Sequence, residues 1–378
     1  MALRYLCLIF ILAVLGGCNS SQDDRLQGCD GRVHETGHVV YVVGDCETAV
    51  FDGVALEQGV ETTIGRTRAL LVRPGTWRMF PNEDSWAARD GAGLLYFNGE
   101  LYLLGGWIYG PTSNEVWKTR DLHEWTFVGH APWPARHGAA WLVHEGRMFV
   151  IGGDLLDDVW SSADGVNWSL EAARAPFGPR YTPNAASVGG FIVVYAGQHW
   201  DPVEWCVYEP ACRPVGIRDV WRSRDGRSWE RLLDTPWDGR GLIHGSLVHR
   251  GEIYLVGGGL KAPPPNERYA ETWSEFADVW SSRDGRRWTY RGTMDHPRTH
   301  FSVVATPEGC FLSDGSVGTQ VNLSNELFFA ANCVDFAPVA VPAEMPVRHA
   351  SSLAAFNGSI VILGGPGGAG TSVWQYFP

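Results

Sequence analysis

The sequence predicts an all-β protein built from six repeated four-stranded sheets. Three features recur in the same order: an arginine, a turn glycine followed by two small residues, and two aromatic residues eight positions apart. Short apolar runs rich in β-branched and aromatic residues lie between these features, and such runs are typical of buried strands. We therefore expect strands and turns rather than helices.

The first recurring feature is a turn glycine followed six residues later by a pair of small residues. Runs such as ELYLLGG, RMFVIGG, EIYLVGG and SIVILGG predict two antiparallel strands, a and b, joined by a tight turn. An arginine stands ten or eleven residues before each turn glycine. In four units an aromatic residue precedes that arginine by three positions: Trp86, Trp133, Phe177 and Trp237. The six glycine patterns are Gly99 with Gly105-Gly106, Gly146 with Gly152-Gly153, Gly190 with Ala196-Gly197, Gly251 with Gly257-Gly258, Gly309 with Gly315-Ser316, and Gly358 with Gly364-Gly365.

The second recurring feature is the aromatic pair, which predicts strands c and d. In DVWSSADGVNW, Trp160 and Trp168 flank an Asp-Gly turn, and DVWRSRDGRSW and DVWSSRDGRRW repeat this arrangement. EVWKTRDLHEW is a looser copy that keeps the tryptophan spacing but has Asp-Leu at the turn. The fifth unit keeps the spacing with Phe328 and Phe336. The Ser-x-Asp-Gly-x-x-Trp pattern resembles the Asp box of sialidases, shortened by one residue, which implies a structural turn.

The two ends of the repeated region predict that the sheets close into a ring. The last unit stops at SVWQYFP, with Trp374 on strand c and no strand d, whereas GTWRMFP supplies Trp77 just before the first arginine. Pairing of segment 70–81 with the C-terminal strand would leave no exposed sheet edge. Four short strands per unit and a repeat of 44 to 60 residues are typical of a β-propeller, here with six blades.

The Gly-Gly pairs resemble kelch repeats, and the resemblance covers residues 89–378. It implies a kelch-type β-propeller whose b–c and d–a loops form a ligand-binding face, opposite an end of tight turns. Kelch-like relatives include galactose oxidase, whose copper site needs a Cys–Tyr crosslink, and a sialic-acid mutarotase. A mutarotase-like or sialidase-like site needs an acid beside arginines, and the long loops offer Glu204, Glu209, Glu267 and Glu271.

Six arginines at the inner start of strand a are candidate ligand-binding residues on this face. Guanidinium groups pair bidentately with carboxylates and other anions. The alternative is that each arginine pairs with the acid that opens strand c, because buried charges need partners. Five units supply such an acid, at Glu115, Asp158, Asp219, Asp278 and Glu326, whereas the sixth offers Ser372. The arginines are Arg89, Arg136, Arg180, Arg240, Arg298 and Arg348.

Aromatic residues and histidines of the loops complete the candidate surface. Long b–c loops follow Gly197 and Gly258, and loops of this length commonly carry function. The nearby histidines differ in their offset from the arginines and lack carboxylates at metal-site spacing, so we predict no metal and no cofactor. These histidines are His137, His244, His300 and His349. The predicted ligand contacts are Trp107, Tyr109, His199, Trp200 and Trp273.

The N-terminus predicts export and attachment of a lipid. Residues 1–18, MALRYLCLIFILAVLGGC, combine one arginine, a short apolar core and small residues before a cysteine, as in a signal peptide. The end of this segment resembles the lipobox of bacterial lipoproteins, which implies acylation of Cys18; the alternative is an ordinary signal peptide whose cysteine is incidental. By resemblance to the sorting of bacterial lipoproteins, Asn19 after the cysteine implies the outer membrane. We expect a polar tether at 19–32, a small β-rich segment at 33–69 and the propeller at 70–378.

Export also permits disulfides among the remaining cysteines. Several pairings are open, and the nearest-neighbour set is Cys29–Cys46, Cys206–Cys212 and Cys310–Cys333. The net charge of −12 disfavours nucleic acid as a partner, because phosphates would be repelled. Together these features predict a monomeric, lipid-anchored, non-enzymatic protein of the bacterial cell envelope that binds a glycan, a peptide or an anionic group. The alternative is a carbohydrate-active enzyme on the same scaffold.

Overall fold

The computed structural model describes residues 23–36, 39–82, 85–201, 213–261, 273–318, 322–365 and 371–378. In these residues the protein consists of β-strands, turns and irregular connections, without a helix. The described residues accordingly contain no helix that is long and apolar enough to cross a membrane. The predicted all-β class is confirmed.

Six sheets of the predicted a-b-c-d type occupy the chain from residue 77 onward, with their strands paired in antiparallel fashion. Sheet one contains Gly93–Phe97, Glu100–Leu104, Glu115–Thr119 and Thr126–His130. Sheet two contains Ala140–His144, Arg147–Gly153, Leu156–Ser162 and Trp168–Ala172. Sheet three contains Asn184–Val188, Phe191–Tyr195, Trp221–Ser223 and Glu230–Arg231. Sheet four contains Leu247–His249, Glu252–Val256, Asp278–Ser282 and Thr289–Thr293.

Sheets five and six include strands from elsewhere in the chain. Sheet five contains Phe301–Ala305, Cys310–Ser313, Leu327–Ala330 and Ala337–Val339, and a fifth strand, Ile243–Gly245, pairs in parallel with the first. Strands a, b and c of sheet six are Ser352–Phe356, Ser359–Leu363 and Val373–Tyr376. Its strand d is Trp77–Phe80, so the predicted pairing of an upstream segment with the C-terminal strand is observed. The Trp77 and Trp374 ring centroids are 6.4 Å apart.

The long b–c connections of sheets three and four begin and end as two-stranded hairpins. They consist of Gln198–Asp201 with Arg213–Gly216, and Gly259–Lys261 with Trp273–Glu275. The hairpin strands continue directly from the small pairs that end strand b, so they project from the same end of each sheet. This end corresponds to the predicted loop-rich face.

A chain of hydrogen bonds joins the six sheets at the inner start of their a strands. Its members each lie two residues after an arginine and have a left-handed φ of 47° to 61°; they are Gly91, Gly138, Thr182, Leu242, His300 and Ala350. Four backbone bonds of 2.6 to 2.8 Å link sheet two to one, one to six, six to five and five to four. The Leu242 N–H then donates to the Thr182 hydroxyl of sheet three at 2.9 Å. Sheets linked side by side in this way are consistent with a propeller.

The Asp-Gly turns between strands c and d pack sheets two, three and four against the preceding sheet. In sheet two, the Ser162 hydroxyl accepts from the Gly165 N–H at 2.8 Å, and Asp164 Oδ1 accepts from the Asn167 N–H at 2.7 Å. The hydrogen bonds that Asp164 accepts, those from Asn167 first, lower its pKa to about 2. A Cβ at Gly165 would lie 2.5 Å from Tyr102 of sheet one, so only glycine permits this approach. The contacts of the turn are therefore structural.

The aromatic residues three positions before the arginines pack edge-to-face on strand-d tryptophans. Such pairs contribute roughly 0.5–1.5 kcal/mol beyond the burial of their surface. This explains why the two landmarks occur together in four units. The ring pairs are Trp86–Trp125, Trp133–Trp168, Phe177–Trp229 and Trp237–Trp288, with centroids 5.7, 5.9, 5.1 and 5.6 Å apart.

The small pair of the fifth unit is Asp314-Gly315, and the predicted Gly315-Ser316 is wrong. Both residues of every pair have a left-handed φ, which is 53° at Asp314 and 101° at Gly315. Strand b of sheet five, Cys310–Ser313, has four residues, one fewer than Glu100–Leu104 in sheet one, so the pair follows the turn glycine one position earlier. A buried aspartate thus occupies a position that is glycine or alanine in the other sheets.

Residues 26–72 form a separate two-layer β structure. One layer contains Leu26–Gln27, Thr48–Phe51 and Val54–Glu57. The other contains Gly31–Thr36, Val39–Gly44, Thr67–Val72 and Glu61–Ile64. The predicted boundaries differ, because strands begin inside the 19–32 tether and the last one extends past residue 69. Short strands with few apolar residues, such as Leu26–Gln27, gave no recognisable sequence pattern.

The four-stranded layer lies between the three-stranded layer and the tight-turn end of the six sheets. Its residues Val40 and Val42 pack with Leu26 of the outer layer. On its opposite face, the Tyr41 and Phe377 rings are 5.0 Å apart. Arg32 adds contacts with the same end, donating to the Pro378 carbonyl at 2.8 Å and to Glu308 at 2.5 Å.

Two of the predicted disulfides are formed, Cys29–Cys46 in the N-terminal structure and Cys310–Cys333 in sheet five. Cys333 has a φ of 60° and lies in the c–d turn, where sheets two to four have the Asp-Gly glycine. Cys206, Cys212 and Cys18 lie outside the described residues.

Candidate functional site

The six arginines do not form an exposed ring, contrary to the prediction that they bind ligand. All six are only 0–2 % exposed. In sheet two, Arg136 donates to both oxygens of Asp158 at 2.6 and 2.8 Å and to the Gly152 carbonyl at 3.0 Å. The Trp160 indole N–H donates to the same carboxylate at 2.8 Å. Burial and full engagement of the guanidinium make this residue part of the scaffold.

Four other arginines pair with the acid that opens strand c, so the alternative considered from sequence accounts for them. The pairs are Arg89–Glu115, Arg180–Asp219, Arg240–Asp278 and Arg298–Glu326. Arg348 has Ser372 at this position, and its Nη2 is buried without a hydrogen-bond partner among the described residues. This difference between sheets was visible in the sequence.

The predicted loop contacts occupy different environments. Tyr109 is 45 % exposed and its ring lies 5.1 Å from that of Trp107, so both are on the loop-rich face. His199 is partly exposed. Trp200 is buried against Tyr181, because the hairpin folds its side chain inward, and is therefore unsuitable as a surface contact. Trp273 contributes a hairpin strand, whereas its side chain and the glutamates Glu204, Glu209, Glu267 and Glu271 lie outside the described part.

A cluster of imidazoles and carboxylates lies at the centre of the same face, and we call it the central mouth. Its members are Asp90, His137, Asp154, Tyr181, His244, His300 and His349. Asp90, His137, Tyr181 and His349 each directly follow one of the arginines, which places them at the inner start of strand a in four different sheets. His244 lies on the strand that pairs in parallel with sheet five. The cluster therefore brings together residues from several of the six sheets.

Two carboxylate–imidazole pairs give the central mouth its chemistry. His137 Nδ1 lies 2.7 Å from Asp154 Oδ1, and the Tyr181 hydroxyl lies 3.5 Å from His137 Nε2. On the other side, His349 Nε2 is 3.6 Å from Asp90 Oδ2. A carboxylate beside an imidazole fixes its tautomer and its orientation, which suits proton transfer as well as hydrogen bonding.

Several polar atoms of the central mouth have no protein partner among the described residues. They are Asp90 Oδ1, His244 Nε2 and His349 Nδ1, and all three atoms are buried. Burial lowers the pKa of His244 to about 3, and the nearby His137 and His349 act in the same direction while Asp90 opposes them. His244 is therefore neutral at physiological pH. Because buried polar atoms are nearly always satisfied, water or a ligand must complete these three.

The sequence pointed to the four histidines but argued against them as metal ligands, since their offsets from the arginines differ. Asp90 and Asp154 were missed altogether. The signal that could have found Asp90, His137 and His349 is their shared place directly after an arginine. Among the described residues, only His249, Cys310 and Cys333 approach as a group of metal-type ligands, and the two cysteines are joined in a disulfide.

Comparison with known proteins supports the fold. No protein-family model matches the chain, and no curated protein matches its sequence. Among solved structures, the chain is similar to the one titled "Structure of YjhT", with a TM-score of 0.58 and 13 % identity. The match covers 78 % of this chain and 95 % of that chain. At this identity the likeness concerns the fold, and it suggests a kelch-like β-propeller.

Proposed function

We propose that the protein is a six-bladed, closed, kelch-type β-propeller that is lipid-anchored and binds a polar ligand at its central mouth. The pairing of Trp77–Phe80 with Val373–Tyr376 supports closure. The hydrogen-bond chain through the starts of the a strands supports six blades, and the likeness to a solved structure supports the architecture. The binding site differs from the predicted arginine ring, because those arginines are buried.

The observation that carries the ligand proposal is the convergence of unsatisfied polar atoms at the mouth. Asp90 provides an acceptor there, and the His244 and His349 rings provide nitrogen donors or acceptors. A hydroxyl-rich molecule matches this mixture, since each hydroxyl both donates and accepts. The exposed ring of Tyr109 on the same face offers an apolar surface. The proposed ligand class is therefore a sugar.

Binding of free monosaccharides tests this proposal. Calorimetric titration with a panel of neutral hexoses and sialic acid is expected to identify a binder whose affinity falls at least tenfold in Asp90→Asn. Asp335→Asn, at the tight-turn end, serves as the matched control and is expected to bind as the unaltered protein does. Absence of binding to the whole panel, or full affinity in Asp90→Asn, would reject the central mouth as a sugar site.

Membrane attachment is the second part of the proposal. The first strand, Leu26–Gln27, lies in the outer layer of the N-terminal structure, which separates it from the six sheets. A lipid on Cys18 would therefore hold the protein by the side opposite its central mouth. Detergent phase partitioning checks this, because Cys18→Ser is expected to move the protein from the detergent phase to the aqueous phase. Equal partitioning of both proteins would contradict a lipid at this residue.

A carbohydrate-active enzyme is the second candidate function, favoured by the contact between His137 and Asp154. A carboxylate-supported imidazole can act as a general acid or base, the roles needed to interconvert the anomers of a sugar. Exchange NMR on the sugar that binds is expected to show accelerated anomer interconversion, lost in His137→Gln while binding persists. If the unaltered protein binds the sugar without accelerating exchange, the protein is a binding module rather than an enzyme.

A further inference from the structure

Sheet six contains a buried arginine without the acid that accompanies it in every other sheet. The motif is otherwise retained, because Ser372-Val373-Trp374 corresponds to Asp158-Val159-Trp160 of sheet two. Even the indole contact persists, with the Trp374 N–H donating to the Ser372 hydroxyl at 3.0 Å. The change from aspartate to serine therefore removes a carboxylate from an otherwise conserved arrangement.

The hydrogen bonds of Arg348 are correspondingly incomplete. Its Nη1 and Nε donate to the Gly364 and Pro346 carbonyls at 3.3 and 3.4 Å. The equivalent bonds of Arg136 are both 3.0 Å, and Arg136 makes two further bonds to its carboxylate. Arg348 Nη2 has no partner among the described residues, although the side chain is fully buried. An unpaired buried guanidinium is strongly unfavourable, so a partner for this group is expected.

Asp314 is a buried carboxyl that interacts electrostatically with Arg348, and it does not replace the missing acid. Asp314 Oδ2 accepts hydrogen bonds from the Ser313 and Ser351 hydroxyls, and no ion pair joins it to Arg348 in the described structure. Burial raises the pKa of Asp314 to about 7, so at neutral pH this group carries only part of a negative charge. The charge of Arg348 is therefore poorly balanced by the protein.

We propose that Arg348 and Ser372 form a binding site for a small carboxylate, held where the other sheets have an acidic side chain. The guanidinium supplies Nη2, and the Ser372 hydroxyl lies at the position of the missing acid. The preference for a carboxylate over a spherical anion follows from the planar fork of arginine, which matches two carboxylate oxygens. Arg348 and Ser372 are not members of the central mouth, and this proposal does not depend on sugar binding.

Thermal unfolding with added acetate tests the site, with sodium chloride at equal ionic strength as reference. Acetate at ten times its Kd is expected to raise the Tm of the unaltered protein by about 2 °C. Ser372→Asp supplies the acid from the chain, so its Tm is expected to be higher without acetate and to show no acetate response.

Asp158→Ser in sheet two is the matched variant, because it recreates the sheet-six arrangement around Arg136. It is expected to have a lower Tm and to gain an acetate response of its own. If this variant does not fold, the acetate responses of Ser372→Asp and of the unaltered protein still test the proposal. Equal acetate responses in those two proteins, or equal effects of acetate and chloride, would overturn the proposal.

Discussion

The pair of Arg136 and Asp158 gives the most direct test of the role assigned to the arginines. Arg136 is completely buried and the Asp158 side chain is 12 % exposed, so replacing Asp158 with asparagine leaves a buried cation without its counter-charge. Removing one partner of such a pair costs roughly 3–5 kcal/mol. Asparagine keeps the shape and some hydrogen bonds, so we expect the lower end, about 3 kcal/mol. For a chain of this length that corresponds to a fall in Tm of about 4 °C, measured by tryptophan fluorescence.

Glu326→Gln provides a graded control, because its acid is more exposed and accepts one hydrogen bond from its arginine, whereas Asp158 accepts two. The Glu326 side chain is 52 % exposed, whereas its partner Arg298 is buried. Water already solvates that carboxylate, so its replacement is expected to cost about 1 kcal/mol. A fall in Tm as large as for Asp158→Asn, or an unchanged Tm in Asp158→Asn, would refute the argument that the arginines stabilise the sheets through buried pairs.

Three further predictions concern the scaffold. The pKa of Asp314 in the folded state, about 7, exceeds its usual 3.8, so the contribution of this group to stability is complete below about pH 4 and is lost as pH rises through 7. The Tm of Asp314→Asn, relative to that of the unaltered protein, is therefore expected to rise between pH 5 and pH 8. A difference in Tm that stays constant over this range would contradict the prediction. Replacing Cys310 and Cys333 together by serine is expected to cost about 3 kcal/mol, because the unfolded chain regains the conformational entropy that the disulfide removes. An unchanged Tm would be the contrary result. Trp77→Ala is expected to make the C-terminal strand more sensitive to limited proteolysis, because the Trp77 ring packs against Tyr376 of that strand with ring centroids 4.7 Å apart. Cleavage at the same rate as in the unaltered protein would argue that Trp77 does not hold this strand in place.

Much of the fold followed from the sequence because each sheet is made by neighbouring segments. The spacing of turn glycine, small pair and aromatic pair reflects local strand lengths and turn geometry, which repeat from unit to unit. The pairing of Trp77–Phe80 with the last strand was also predictable, since one unit lacked strand d and one extra copy preceded the first unit. The error at Asp314-Gly315 arose where one strand is a residue shorter.

The sequence by itself determined the repeat, the strand order within each sheet and the acids available to the arginines, because these depend on residues close together in the chain. Only the tertiary structure decided that the arginines are buried and that Asp90, His244 and His349 converge. Those residues come from sheets far apart in sequence. Their approach depends on how the sheets are placed around the centre, and local spacing contains no information about that arrangement.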